Sequence, residues 1–381
     1  MSVLEVRGLT VSFDAESGPV AAVRGLQLSL EAGELLAVVG ESGAGKSTIA
    51  LALMGLLPVG AEVSGSVRLG ERELLGLDDR GWSALRGSEI AMVFADHAQA
   101  LTPVYSVGVQ LVEALQLHRE LSADQARAQA VELLDTVGIA EPDQAFGAFP
   151  HELSGGQRQR VLIAIAVAND PAVLIADEPT SAVDVTVQAE VLDVLDRIRR
   201  QRRTAVLLIT HDLAVAAQRA DRLAVLYAGS IVETGPVSSV LAAPRMPYTV
   251  GLLRSMPTMD ADLAPLPVIA AGELAEEGCA FAPRCPIAEQ RCRSTAVELV
   301  IVGPGHRAAC LRSEQVAAVS AAELYPTPES PGAAMVTSAQ VVLSVRGLKK
   351  SYRRRGRFWG SGNVVVAVDG VDLELAAGQT L

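Results

Sequence analysis

Lysine is nearly missing from this sequence: Lys46, Lys349 and Lys350 are the only three, and Arg supplies the remaining positive charge. Asp and Glu outnumber Lys and Arg by 44 to 32, leaving a net charge of −12. That balance excludes the basic field on which non-specific nucleic-acid binding depends. Aromatic residues make up only 3%, too few for a base-stacking surface. No apolar run reaches the roughly 18 residues of a membrane-spanning helix, and the first thirty residues lack a signal-peptide pattern. Cysteine does not occur outside residues 279–310, where four are found. A secreted disulfide scaffold would be smaller and would carry a leader, so a reduced, cytoplasmic setting is expected. What remains is globular in composition, 50% apolar and 20% charged over 381 residues, enough for two domains and a fragment.

The chain repeats itself. Leu4-Glu-Val-Arg-Gly-Leu-Thr-Val11 returns as Leu343-Ser-Val-Arg-Gly-Leu-Lys-Lys350, and residues 22–36 return at 367–381. A Pro/Ser/Ala-rich stretch at 326–340 separates the copies and reads as a linker. The expected organisation is a first domain over 1–240, an extension with four Cys over 241–325, that linker, and the truncated start of a second copy of the first domain over 341–381.

Alternating residues near 3–13 and 26–30 predict a half-exposed antiparallel sheet. Leu35–Val39, Val173–Ala176 and Ala205–Ile209 are continuous apolar runs, the pattern of buried parallel strands. Helices alternate with them. Ser122 and Gln125 predict a capping box that opens a helix, and Gly138 closes it. Val187, Val191, Leu195 and Ile198 make an apolar helical stripe ending in Arg199, Arg200, Arg202 and Arg203. Strands alternating with helices imply an α/β domain around a mainly parallel sheet.

Gly40-Glu-Ser42-Gly43-Ala-Gly45-Lys46-Ser47, followed by Thr48, matches a phosphate loop between an apolar strand and a helix. Glycines let the backbone wrap a polyphosphate with its N–H groups turned inward. Lys46 adds a compact charge for the β- and γ-phosphates, and Ser47 a hydroxyl for Mg²⁺. Val173-Leu-Ile-Ala-Asp177-Glu178 carries Asp177 to a strand end, where it can hold Mg²⁺ through water while Glu178 polarises the attacking water. His211 follows the strand 205–209 and is expected at the same sheet edge.

Leu153-Ser154-Gly155-Gly156-Gln157 precedes a helix, placing Ser154 and the glycine N–H groups at a helix N-terminus suited to an anion. Taken in order, the loop at 40–47, Leu-Ser-Gly-Gly-Gln, Asp-Glu, Ser181-Ala-Val-Asp184 and His211 resemble an ATP-binding-cassette ATPase. The resemblance implies a P-loop NTPase fold: a mainly parallel core sheet, an antiparallel β subdomain and a helical subdomain. It also implies two cassettes meeting head to tail, with ATP between the phosphate loop of one and the segment with Ser154 and Gly156 of the other. Asp184 would lie in the loop joining the two sites, and Phe13 takes the place of the adenine-stacking aromatic, where an ordinary strand core residue is equally expected.

Leu101-Thr-Pro-Val-Tyr-Ser-Val-Gly108, Phe149-Pro-His-Glu152 and Met246-Pro-Tyr-Thr249 resemble the oligopeptide/dipeptide importer ATPases. That family implies integral-membrane permease subunits, an extracytoplasmic substrate-binding protein and a peripheral place on the cytoplasmic membrane face, and some members fuse two cassettes. One departure stands out. The family's segment after the strand Ile90–Phe94 begins with Gln; that position is Ala95 here, and a methyl group neither coordinates nor donates. Together with the incomplete second copy, this motivates an alternative, a catalytically impaired nucleotide-binding structural subunit.

The cysteines run Cys279-x5-Cys285-x6-Cys292-x17-Cys310. Four thiols this close in an otherwise Cys-free chain suggest one metal centre. The spacing lacks the paired C-x2-C units of structural zinc. An iron–sulfur cluster, zinc, disulfides and free thiols stay open on the residues, and the family resemblance favours a [4Fe-4S] cluster.

Overall fold

Residues 2–15, 18–95, 100–181, 183–257, 265–275, 277–328, 340–353 and 364–378 are described by the computed structural model. Alternation near the N-terminus builds an antiparallel hairpin, β1 (Ser2–Ala15) on β2 (Gly18–Glu31), whose inward Leu4, Val6, Leu9, Leu26 and Leu30 are buried. β4 (Glu62–Leu69) and the short β5 (Arg72–Glu73) complete this sheet in the order β2-β1-β4-β5.

The three continuous apolar runs become neighbours in a second sheet. β3 (Leu35–Val39) lies between β8 (Ala205–Thr210) and β9 (Arg222–Tyr227), and β7 (Val173–Asp177) lies between β8 and β6 (Ile90–Val93), all parallel. These strands carry apolar side chains on both faces because helices and the first sheet cover both faces. Helix α1 (Lys46–Leu53) follows β3 directly. Residues 107–166 supply the helical layer: α3 (Val107–His118), α4 (Ala123–Thr136), α5 (Pro142–Gly147) and α6 (Gly155–Ala166), after the short α2 (Asp79–Leu85). The Ser122/Gln125 capping box is present, and Gly138 follows α4 at φ +80°. On α7 (Val185–Arg202), Val191, Leu195 and Ile198 are buried; Arg199 is buried too, bonded to Asp196 and Asp221.

The extension continues the main sheet rather than standing apart from it. β10 (Ser230–Pro236) pairs antiparallel with β9, and β12 (His306–Ala308) pairs with β10 before β11 (Val300–Gly303) closes the edge. Glu233, fully buried on β10, fixes this junction: its carboxylate accepts from the N–H groups of Arg245 (2.6 Å) and Met246 (3.2 Å) and lies 2.8 Å from His306 Nε2. A buried carboxylate is tolerated only with such partners. Residues 1–262 and 266–327 form one compact unit.

The second unit holds a hairpin, β13 (Val341–Arg353) on β14 (Val364–Ala376). Its register reproduces the first copy: Leu343↔Leu375, Val345↔Leu373 and Leu348↔Val371 match Leu4↔Leu30, Val6↔Leu28 and Leu9↔Leu26, each with an irregularity before the third pair. The repeated sequence therefore repeats as structure.

Candidate functional site

The phosphate loop leaves the C-terminal end of β3 and enters α1, so consecutive residues build the anion cradle. Gly45 caps α1 at φ +101°, and a Cβ there would collide with the Ala22 carbonyl, so neither backbone nor space admits another residue. Lys46 is buried and donates to the carbonyls of Gly40 (2.9 Å) and Glu41 (3.0 Å). Burial pulls its ammonium below the usual lysine range, opposed by the charges of Glu178 and Asp177. Ser42, Gly43 and Ser47 are exposed along the same loop, and Thr48 is half-buried.

Asp177 ends β7 beside this loop. Burial raises its carboxyl above the ordinary range; a hydrogen bond with Ser47 lowers it in part, and the Glu178 charge raises it further. Its Oδ1 is buried without any hydrogen-bond partner. An orphaned buried carboxylate oxygen next to a hydroxyl is the donor set a hard divalent cation takes, so the residues fit Mg²⁺. Glu178 follows at φ +46°, a left-handed conformation costly for a residue with a Cβ, held by its N–H donating to the Ile209 carbonyl at 2.9 Å. His211 Nδ1 stands 3.4 Å from Glu178 Oε1. The expectation that β8 brings His211 to this edge is met.

Asp177 also provides a stability test. A carboxyl raised by burial contributes most to stability below its unfolded pKa, and that contribution is lost as pH rises through the folded value. Above that value the ionised group carries its desolvation cost in the metal-free fold. Asp177→Asn is expected to raise the melting temperature of metal-free protein at pH 7 by about 2–4 °C for each ~1 kcal/mol relieved, while abolishing Mg²⁺-dependent stabilisation. An unchanged or lower melting temperature, measured by calorimetry with chelator present, would sink this reading.

The Ser154 segment is placed as a cap. Ser154 Oγ accepts from the Gln157 N–H (3.2 Å), Gln157 Oε1 accepts from the Ser154 N–H (3.0 Å), and Gly156 packs where a Cβ would strike Val187. Among the described residues no hydrogen bond or ion pair joins 153–157 to 40–47. Asp184 caps α7, accepting from the N–H groups of Thr186 and Val187 at 3.0 Å. Phe13 is half-buried against the core of the first sheet. Ala95 follows β6, and its carbonyl accepts from Ser181 Oγ at 3.4 Å; Asp96, His97 and Ala98 lie outside the described residues.

Two contacts were not foreseen: Tyr248, known only as part of the Met-Pro-Tyr-Thr segment, accepts from the Glu41 N–H at 2.9 Å, and Arg284 ion-pairs with Glu41. Neither carries a spacing signal, since both lie some two hundred residues from the loop.

Cys279, Cys285, Cys292 and Cys310 line one apolar cavity, with Phe281 and Met246 on its wall and about 20 Å³ of free space. All four are free thiols, so the disulfide option falls away. Among the described residues no three His, Cys, Asp or Glu side chains are grouped to hold a metal ion, which leaves both the zinc and the iron–sulfur expectations without support from this arrangement. Burial pushes the Cys285 thiol up to about 11 and Cys310 up to about 12, and raises Cys279. In metal-free protein, iodoacetamide should therefore label Cys285 and Cys310 at pH 8 roughly 100-fold or more slowly than an exposed cysteine, the rate climbing well beyond pH 10. Labelling at ordinary cysteine rates, read by mass spectrometry, would contradict the burial argument.

A phosphate loop, a strand-end Asp-Glu pair and a histidine on one edge of a parallel sheet define a phosphate-loop nucleotide-binding protein. Residues 23–181 match the ABC transporter family, and residues 232–292 match the oligopeptide/dipeptide transporter C-terminal region. The oligopeptide transport ATP-binding protein OppD of Mycobacterium tuberculosis is 51% identical over all of this chain, which spans 63% of that relative's length. OppD of Salmonella typhimurium is 42% identical over 81% of this chain and 93% of its own, and the dipeptide transport ATP-binding protein DppD of Escherichia coli is 41% identical over 81% and 96%. A dimeric, post-hydrolysis structure of the ATP-binding cassette MJ0796 bound to ADP and Pi superposes with TM-score 0.55 and 26% identity, covering 61% of this chain and 98% of that one. The chain belongs to the ATP-binding-cassette family, among its oligopeptide and dipeptide transport ATP-binding proteins.

Proposed function

We propose that this chain binds MgATP and hydrolyses it to energise a membrane importer of peptides. The observation that carries the reading is the convergence of Lys46, Asp177 with its unpartnered Oδ1, Glu178 and His211 on one sheet edge. Lys46 and the N-terminus of α1 would bind the β- and γ-phosphates. Ser47 and Asp177 would hold Mg²⁺, which when bound neutralises charge on the transferring phosphoryl group. Glu178 would orient the attacking water and accept its proton, with His211 fixing the carboxylate. Apart from Ala95 the hydrolytic set is whole, so an active ATPase is preferred over an impaired structural subunit.

The names of the relatives support peptides as cargo, and the dimeric MJ0796 supports pairing with a second cassette. In that arrangement Ser154 and Gly156 would meet the ATP of the opposite copy, and Phe13 would stack on adenine. The domain layout follows: a cassette over 1–240, its extension over 241–325, a linker, and at 341–381 the opening strands of a second cassette, supported by the matching hairpin registers. No described helix is long and apolar enough to cross a membrane, so permease subunits would supply the path. Phe94, Val104, Tyr105 and Val109, all exposed, offer them an apolar surface, with an extracytoplasmic binding protein delivering peptide and this chain peripheral on the cytoplasmic face. Co-expression with its permease partners and ATP-dependent peptide uptake into vesicles tests the reading. Uptake that proceeds equally without ATP, or a chain that co-purifies with ribosomes instead, would overturn it.

A second reading concerns the cysteines. A [4Fe-4S] cluster held by Cys279, Cys285, Cys292 and Cys310 would draw on four unpaired thiols that line one cavity, which would have to widen and regroup them to admit it.

A further inference from the structure

The turn Ala282–Arg284 lies between Cys279 and Cys285, and its last side chain reaches the phosphate loop. Arg284 Nη1 and Nη2 each donate at 2.8 Å to the two carboxylate oxygens of Glu41, the residue after Gly40. Nη1 also donates to the Tyr227 hydroxyl (3.3 Å), and Nε to the Ala270 carbonyl (2.7 Å). Glu41 is tied at two more points: its N–H donates to Tyr248, and its carbonyl accepts from Lys46 at 3.0 Å. The Arg284 side chain is 11% exposed and that of Glu41 37%, so this bidentate pair is better shielded than a surface ion pair.

The other end of the link is the cysteine cavity. Phe281 lines that cavity and packs on Tyr227 and Tyr248, with ring centroids at 5.2 and 5.4 Å. The Ala282 N–H donates to the Cys279 carbonyl at 2.8 Å, so the Arg284 turn is anchored on a cavity cysteine. We infer that Arg284 is a positioning residue that couples the cysteine cavity to the phosphate loop, so that displacement of the extension is read as a change in nucleotide affinity. The inference rests on the nucleotide-site reading of Gly40–Ser47. Arg284 touches no phosphate in this role; it neutralises and holds Glu41. Losing it leaves a carboxylate unpaired beside a site for a polyanion, while losing both partners removes that charge.

Nucleotide titration of the full chain with a fluorescent ATP analogue tests this through a double-mutant cycle. Arg284→Met should weaken binding about tenfold, and Glu41→Gln in the same chain should return it to within about threefold of the starting protein. Amide exchange should quicken over residues 40–46 in Arg284→Met as well as over 279–292, a readout that a purely local packing role would not move. Affinities all within twofold of the unmutated chain, additive losses in the double variant, or exchange changes confined to 279–292 would each overturn the coupling. Failure of the unmutated chain to bind would instead overturn the nucleotide-site reading, and this proposal with it.

Discussion

Glu178→Gln is expected to lower ATP turnover by roughly 10²–10³-fold, the scale of a lost general base, while MgATP binding persists. The substitution keeps shape and hydrogen-bonding reach but removes the site for the proton of the attacking water. Its position explains why the effect should be large. Glu178 sits in a left-handed backbone conformation fixed by the Ile209 carbonyl, with His211 Nδ1 3.4 Å from its carboxylate. Local strain held by surrounding structure is a mark of a group whose aim matters. Lys46 and Ser47 belong to a different segment and remain intact, so binding should survive and the nucleotide should be trapped. A variant assembled with its partners that turns over at the unmutated rate would remove Glu178 from the mechanism.

Replacing Cys285 with Ser should cost the protein all of its iron–sulfur colour, iron and sulfide, if the four thiols hold a cluster. The consequence for folding should also be large. Residues 270–315 are mostly short turns with little regular structure, and a metal centre that binds only the folded state contributes its binding energy to folding. Proteolysis is therefore expected to open this segment first, with the parallel strands of the main sheet still resistant. Anaerobically purified protein that is colourless and free of iron, with four titratable thiols, would refute the cluster.

The phosphate site was legible because it is local. β3, the loop and α1 are contiguous in sequence, and β7 and β8 announce themselves as unbroken apolar runs whose C-terminal residues are Asp177 and, just beyond, His211. The helix boundaries at Ser122 and Gly138 were equally readable from capping chemistry. The extension was not. β11 and β12 are three or four residues long, too short for a periodic signal, and their attachment depends on Glu233 meeting His306 across 73 positions. Arg284 and Glu41 are 243 positions apart, and nothing in either neighbourhood signals the pairing. Ser154 shows a subtler limit: its helix N-terminus was read correctly, but within this chain its hydroxyl serves the helix cap.

The most direct test of the central claim is a calorimetric titration of MgATP into the full chain and its Lys46→Ala variant. Lys46 is the buried cation of the loop, hydrogen-bonded to the Gly40 and Glu41 carbonyls and flanked by Asp177 and Glu178. Removing one partner of a buried charge pair costs on the order of 2–5 kcal/mol, which is roughly 30-fold to more than 1,000-fold in affinity. The account predicts saturable binding by the unmutated chain and none by Lys46→Ala over the same concentration range. Equal affinity of the two would contradict it.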